Sequence, residues 1–289
     1  MMAPQRQMLS PGREHWRHGP IDLVIEAWGE PAAVALGKTA AWCRFQQVLG
    51  ELVEELVALR APISAMRSVN GPVARRMAAA CSVYAPDFIT PMAAVAGSVA
   101  DEIIACFAQA GVARAYINNG GDIAIHLAAG ESLKVGVVSH ANSPGIDGHV
   151  AVQADGPVRG VATSGWRGRS FSLGIADSVT VLAATAAAAD AAATMIANAV
   201  DADHPAIRRL PAFQVKDDSD LGDRLVTVDV GRLPDRLVAS ALDRGEARAA
   251  SLMVRGLIVG AALALQQQWR SVGCSNVQAP RMLAAQRAA

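Results

Sequence analysis

Ala113-Arg114-Ala115-Tyr116-Ile117-Asn118-Asn119-Gly120-Gly121-Asp122-Ile123-Ala124-Ile125-His126-Leu127 reads as two short apolar strands, 113–118 and 123–127, joined by a tight turn. Two adjacent glycines let the backbone reverse sharply and let a ligand approach without Cβ obstruction. Asp122 can accept hydrogen bonds from such a ligand or cap the turn. A plain hairpin of the N-G type needs no ligand, so both readings stand at this point.

Short strands continue beyond this hairpin, over 133–139, 149–153, 158–163 and 178–182, with Gly, Asn, Asp and Pro between them. An Ala-rich helix over 183–200, a strand over 225–230 and a final amphipathic helix from Gly245 to about Trp269 complete that half. Upstream, a strand over 21–28 precedes a helix from Pro31 to about Leu59, broken by Ala61-Pro62. A second helix covers 72–81, Tyr84 to Asp87 is a loop, and a long helix over 92–110 ends at Gly111. This order lacks the strand–helix alternation of a doubly wound sheet. It predicts an α+β fold, a mainly antiparallel sheet packed with helices. Residues 1–289 read as a single domain, with a polar N-terminal arm over 1–20 and a loose C-terminal tail over 271–289.

The 289 residues are 52% apolar and 18% charged, enough for a packed core, while aromatics are only 4% and leave Ala to fill much of it. Lys+Arg and Asp+Glu both number 26, a balance that gives no footprint for nucleic acid or an anionic membrane. Cys43, Cys81, Cys106 and Cys274 form no C-x-x-C pair and no zinc spacing, and read as buried free thiols in a reducing compartment. The first 20 residues hold no apolar run of the signal-peptide kind. The most apolar late stretch, Leu252 to Leu265, is interrupted by Arg255 and falls short of the ~20 residues of a membrane span. The expectation is a cytoplasmic protein.

Two further stretches can carry chemistry. Thr163-Ser164-Gly165-Trp166-Arg167-Gly168-Arg169-Ser170 combines hydroxyls, glycines and two guanidinium groups, which suits a phosphate or pyrophosphate, or else is a polar connection with solvated arginines. Asp190 and Thr194 stand one helical turn apart on one face, hard oxygen donors that suit Mg²⁺ or Ca²⁺. The alternative is an Asp that caps locally and a Thr that bonds back to the preceding turn. His126, His140, His149 and His204 share no ligand spacing, and Asp217-Asp218-Ser219-Asp220 reads as a solvated acidic loop.

Taken in order, these pieces resemble the ApbE-like superfamily of FAD:protein FMN transferases. Gly97-Ser98-Val99-Ala100-Asp101 parallels its K-G-x-x-x-D stretch, and Gly111-Val112 leads to Gly120-Gly121-Asp122-Ile123. Ser164-Gly165, Ser178-Val179-Thr180-Val181 and Ala189-Asp190-Ala191-Ala192-Ala193-Thr194 follow. The chain is most similar to an uncharacterised UPF branch marked by A-T-S-G, G-R-S, S-x-G-x-A-D and A-D-A-A-A-T. Ala162 to Gly165, Gly168 to Ser170, Ser172 to Asp177 and Ala189 to Thr194 match these motifs.

The resemblance implies that FAD and Mg²⁺ are bound. Asp190 and Thr194 would hold the metal, with Gly120, Gly121, Asp122, Thr163, Ser164, Gly165, Arg167 and Arg169 around the nucleotide. It also implies a flavin nucleotide or other phosphate-bearing small molecule as partner. Many superfamily members are exported, whereas this chain, whose first 20 residues do not read as an export signal, is expected to stay in the cytoplasm. Branch members occur beside enzymes that reduce aromatic heterocycles such as hydroxynicotinate, so a partner oxidoreductase and a homo-oligomer are further expectations. Two departures stand out: Ala96 replaces the family's Lys, and the H-x-x-D-P-x-T-G segment is missing between Ser164-Gly165 and Ser178. They imply a flavin-nucleotide protein that is not an efficient FMN transferase. The alternatives are a non-catalytic accessory subunit and an enzyme of aromatic-heterocycle catabolism that uses the same cleft.

Overall fold

The computed structural model describes residues 3–137 and 148–273. In chain order its first half runs β1 (Gln5–Ser10), β2 (Arg13–His18), β3 (Ile21–Gly29), α1 (Pro31–Glu54), α2 (Leu56–Leu59), α3 (Pro72–Ser82), α4 (Val95–Ile104), β4 (Val112–Asn119), β5 (Asp122–Leu127) and β6 (Ser132–Val137). The second half runs β7 (Gly148–Gln153), β8 (Gly160–Ser164), β9 (Ser178–Ala183), α5 (Ala186–Ala199), β10 (Ile207–Pro211), α6 (Ala212–Val215), β11 (Leu225–Val230), α7 (Asp235–Val254), β12 (Gly260–Leu265) and β13 (Gln268–Val272). Nine strands form one sheet in the order β1-β2-β3-β4-β5-β8-β9-β12-β13, and every pairing is antiparallel. β6–β7 and β10–β11 are separate two-stranded ribbons. The α+β class with a mainly antiparallel sheet is therefore as expected.

Strand β3 alternates as a half-buried strand should, with Ile21, Leu23, Ile25 and Ala27 inside. Helix α1 opens on Pro31 and buries Ala33, Gly37, Ala41, Phe45, Val48, Leu49 and Leu52 along one stripe. Helix α1 packs on β3, α4 on β4 and β5, α5 on β8 and β9, and α7 on β12 and β13. Alanines of α5 fill the central core between Ile175, Val181 and Leu242, as the low aromatic content requires.

Four expectations change. Residues 5–18 are not an arm but the edge hairpin β1–β2, whose inward side chains are Glu14, Trp16 and His18. The helix over 92–110 is a 3₁₀ turn (Pro91–Ala94), α4, and a second 3₁₀ turn (Ala105–Phe107), interrupted where Ala94 leaves helical angles. The last helix stops at Val254, and the apolar run after it is β12, buried on both faces. Of the three described thiols, Cys81 is buried, Cys43 is exposed and Cys106 half-buried. The tail from 274 on, with Cys274, and also His140 and the end of the 133–139 strand, lie outside the described residues. No described helix is long and apolar enough to cross a membrane.

Candidate functional site

The β4–β5 hairpin closes with Asn119 opposite Asp122, and Gly120 and Gly121 take φ of 66° and 116° between them. Both values lie in the region that favours glycine, as a two-residue turn of this kind demands. Asn118 Oδ1 accepts from Gly121 N at 2.8 Å and fixes the turn. Asp122 therefore starts β5 beside β8, where its Oδ1 accepts from Thr163 N at 3.3 Å. Helix α5 lies across β8 because Gly160 carries no Cβ; one there would collide with the Thr185 carbonyl. That crossing brings Asp190 and Thr194 to the same place as Asp122.

These elements floor a cavity of about 880 Å³, within the ~300–1,000 Å³ range of small-molecule sites. Gly120, Asp122, Thr163, Ser164, Gly165, Arg169, Asp190 and Thr194 all line it. Gly121 and Arg167 do not. Gly121 completes the turn, and Arg167 Nε donates to Asp177 Oδ1 at 3.0 Å while its guanidinium lies over Trp166. The Thr163 hydroxyl is shared with Thr180 at 2.9 Å. Arg169 packs over Gly120 and donates to the Pro20 carbonyl at 3.3 Å.

Opposite the polar floor, Leu49, Leu52, Leu59, Phe88, Ile89 and Met92 form an apolar wall. The loop between α6 and β11 lines the cavity too. The acidic stretch is exposed at Asp217 and Asp218, as read, and it also reaches the cavity: Asp218, Ser219 and Asp220 line it. Asp218 pairs with Arg60 at 3.0 Å and Lys216 at 3.4 Å, and Asp220 accepts from the buried Thr90 hydroxyl.

The electrostatics concentrate on two carboxylates. Burial pushes Asp122 up to about 7, against a smaller lowering from the Thr163 N–H. Burial, followed by the charge of Asp122, pushes Asp190 well above the ordinary carboxylate range, against the Gly97 and Ala96 N–H groups. Among the described residues, no Lys, Arg or His pairs with either carboxylate. Nor does any group of three or more His, Cys, Asp and Glu side chains form a ready-made metal cage among them. The floor offers two neighbouring carboxylates with Thr194 and Ser164 beside them, oxygen donors of the type that Mg²⁺ takes. That ion keeps several waters and is commonly held by one or two carboxylates together with substrate phosphates.

A family model described as AbpE bacteria matches residues 6–271. A UPF0280 protein of Methanothermobacter thermautotrophicus is 34% identical over 196 residues, 62% of this chain and 74% of that one. One of Methanothrix thermoacetophila is 39% identical over 133 residues, 46% of this chain and 54% of that one; with such relatives the match spans little more than half their length. Among solved structures, the flavinyl transferase ApbE of Pseudomonas stutzeri in its apo form superposes with a TM-score of 0.47 at 12% identity, covering 94% of this chain and 95% of that one. Matched along nearly its whole length, the chain belongs to the ApbE-like superfamily, in the UPF branch.

Proposed function

We propose that the cavity binds a flavin nucleotide, FAD above all, together with Mg²⁺. The observation that carries this reading is the pair of buried carboxylates, Asp122 and Asp190, left without a cation at the floor of a cavity with an apolar wall. Buried charge is costly unless it is neutralised, so the floor is built for a ligand that brings positive charge. Asp190, Thr194 and Asp122 would hold the ion, and Mg²⁺ when bound offsets the charge of a pyrophosphate. Arg169 and the Ser164-Gly165 backbone would hold phosphate oxygens, and the apolar wall would take the flat ring system. The test is the absorption spectrum of purified protein after incubation with FAD, with and without Mg²⁺, and desalting. Flavin bands that persist only with Mg²⁺ are expected; bands absent in both samples overturn the reading.

The protein would bind FAD without being an efficient FMN transferase. Transfer needs a base or orienting group near the acceptor hydroxyl. No described histidine or cysteine lines the cavity, and its sole lysine, Lys216, is paired with Asp218. Ala96, at the motif position of the family's Lys, lines the cavity with no side-chain charge or proton to give; its carbonyl accepts from Asn119 Nδ2 at 3.1 Å and its N–H is engaged by Asp190. Loss of such a group typically costs ~10²–10⁴-fold in rate. Incubation with FAD, Mg²⁺ and a known acceptor protein, read by in-gel fluorescence, should show flavinylation slower by that order. A rate equal to a true transferase refutes it.

One observation favours a second reading, a small aromatic heterocycle in the same cleft, bound by an enzyme or an accessory subunit. Of the lining cations, Arg60 and Lys216 are already paired, which leaves Arg169 alone for a pyrophosphate. Thermal stabilisation by a hydroxypyridine carboxylate, with none by FAD, would decide for it.

A further inference from the structure

Helices α4 and α5 are clasped in both directions. From α4, the Asp101 carboxylate accepts from Ala186 N at 3.0 Å and Ala187 N at 2.8 Å. These are two of the first N–H groups of α5, which the helix itself leaves unpaired. The Thr185 hydroxyl accepts the next, from Ala188 N at 3.1 Å. From α5, the Asp190 carboxylate accepts from Gly97 N of α4 at 2.9 Å. The two helices can approach this closely because Gly97 has no Cβ; one there would run into the Ala186 carbonyl. Asp190 stands one turn beyond the residue that Asp101 holds. Asp101 does not line the cavity, whereas Asp190 does.

We propose that Asp101 is a positioning residue for the cation site: by capping α5 it fixes where Asp190 stands opposite Asp122, and it places a third negative charge behind the pair without touching the ligand. This rests on reading the cavity floor as a cation site. The Asp101 charge reaches Asp190, since it is among the influences that raise the Asp190 carboxyl. A carboxylate is the side chain the geometry needs. It offers two acceptor oxygens to two neighbouring N–H groups, where an amide would turn its NH₂ toward one of them. It also complements the positive end of the α5 dipole.

The test uses Mn²⁺ as a probe, titrated into the full chain by calorimetry, alongside amide hydrogen exchange at Gly97, Ala186 and Ala187. Asp101→Asn should weaken Mn²⁺ binding about 10–100-fold, the range for outer partners of metal ligands, at unchanged circular dichroism. Protection should fall at Gly97 as well as at the two alanines, because loosening one arm of the clasp loosens the other. Mn²⁺ affinity within twofold of the wild type overturns the proposal. If Asp101→Asn does not fold, Gly97→Ala replaces it. That change leaves every charge in place and forces the helices apart, so it too should weaken Mn²⁺; unaltered affinity again overturns the clasp. If the wild type takes up no Mn²⁺, the reading of the floor fails, and the exchange data judge the clasp alone. Unchanged Gly97 protection in Asp101→Asn then refutes it.

Discussion

The protein buries carboxylates in two opposite ways. In β2, Glu14 sits under Arg6, accepts from Trp16 Nε1 at 2.9 Å and lies 3.0 Å from Lys38 Nζ. Burial pushes its carboxyl up, but these donors together outweigh burial and bring it down to about 2. Glu102, between Arg44 and Arg76, is likewise held low against burial. At the cavity floor, Asp122 and Asp190 receive backbone N–H groups alone and face one another. At Glu14 and Glu102, which serve the architecture, the chain supplies the counter-charge. Asp101, capped by two backbone N–H groups, shows that the counter-charge can be dispensed with at a helix end; what sets Asp122 and Asp190 apart is that both line the cavity, where the proposed ligand would bring it.

The largest expected effect breaks the floor itself. Asp190→Ala should lower Mn²⁺ or Mg²⁺ affinity by about 100-fold or more, beyond what outer partners typically contribute, and Mg²⁺-dependent FAD binding should vanish with it. The fold should persist, since the change relieves repulsion with Asp122. Calorimetry with and without Mg²⁺ reads this directly, and unchanged affinity would remove Asp190 from the site.

Neutralising one carboxylate from each class should move stability in opposite directions. Glu14→Gln should destabilise by about 2 kcal/mol at pH 7, below the ~3–5 kcal/mol of a fully buried pair because Arg6 reaches solvent. The folded carboxyl titrates near 2 and the unfolded one near its ordinary 4.5. Its stabilisation is therefore complete above pH 4.5 and disappears as the pH falls toward 2. Asp122→Asn keeps an acceptor for Thr163 N and should raise the stability of the ligand-free protein by on the order of 1 kcal/mol. Wild-type Asp122, raised from 3.8 to about 7, costs stability as the pH rises across that interval, and the Asn variant should lack this slope. Urea denaturation from pH 2 to 8 compares them. Two variants shifted the same way at pH 7 would dissolve the distinction.

Part of this was legible in the sequence. The Asn118 to Ile123 turn shows itself through paired glycines between apolar strands, and Asp190 and Thr194 through their spacing and the motif order. Strand β12 was hidden because Gly260-Ala261-Ala262-Leu263-Ala264-Leu265 is buried on both faces and so lacks alternation. Its hairpin turn, at Gln266 and Gln267 with φ of 44° and 69°, has no glycine to mark it. The edge strands β1 and β2 looked like an arm because all of β1 faces solvent. Asp217 and Asp218 are exposed, as an acidic solvated loop should be, but the place of Asp218 and Asp220 at the cavity was hidden because their partners, Arg60 and Thr90, lie 158 and 130 residues away. Several positions of the family motifs are architectural. A Cβ on Gly174 would strike the Ala197 carbonyl, Asp101 caps α5, and Asp177 gathers Trp166, Arg167 and Gln266 N.

The smallest expected effects fall on Arg167 and Arg169, two residues apart and alike in sequence. Arg167 repeats the Glu14 pattern with the charges exchanged: it is paired with the buried Asp177, which also accepts from Trp166 Nε1 at 3.2 Å. Arg169 repeats the floor pattern, a charge at the cavity held by no carboxylate among the described residues. Arg167→Gln should therefore cost about 1 kcal/mol of stability, modest because its side chain is 39% exposed, and leave ligand affinity nearly unchanged. Arg169→Gln should leave the melting temperature where it is. It should weaken a phosphate-bearing ligand about tenfold, the equivalent of one charge-assisted hydrogen bond. Raised salt should narrow that difference, since the Arg169 side chain is exposed to screening. Thermal melts and FAD titrations of the two single variants separate the roles. Equal losses of stability in both would place Arg169 with the architecture, and equal losses of affinity would return Arg167 to the phosphate site.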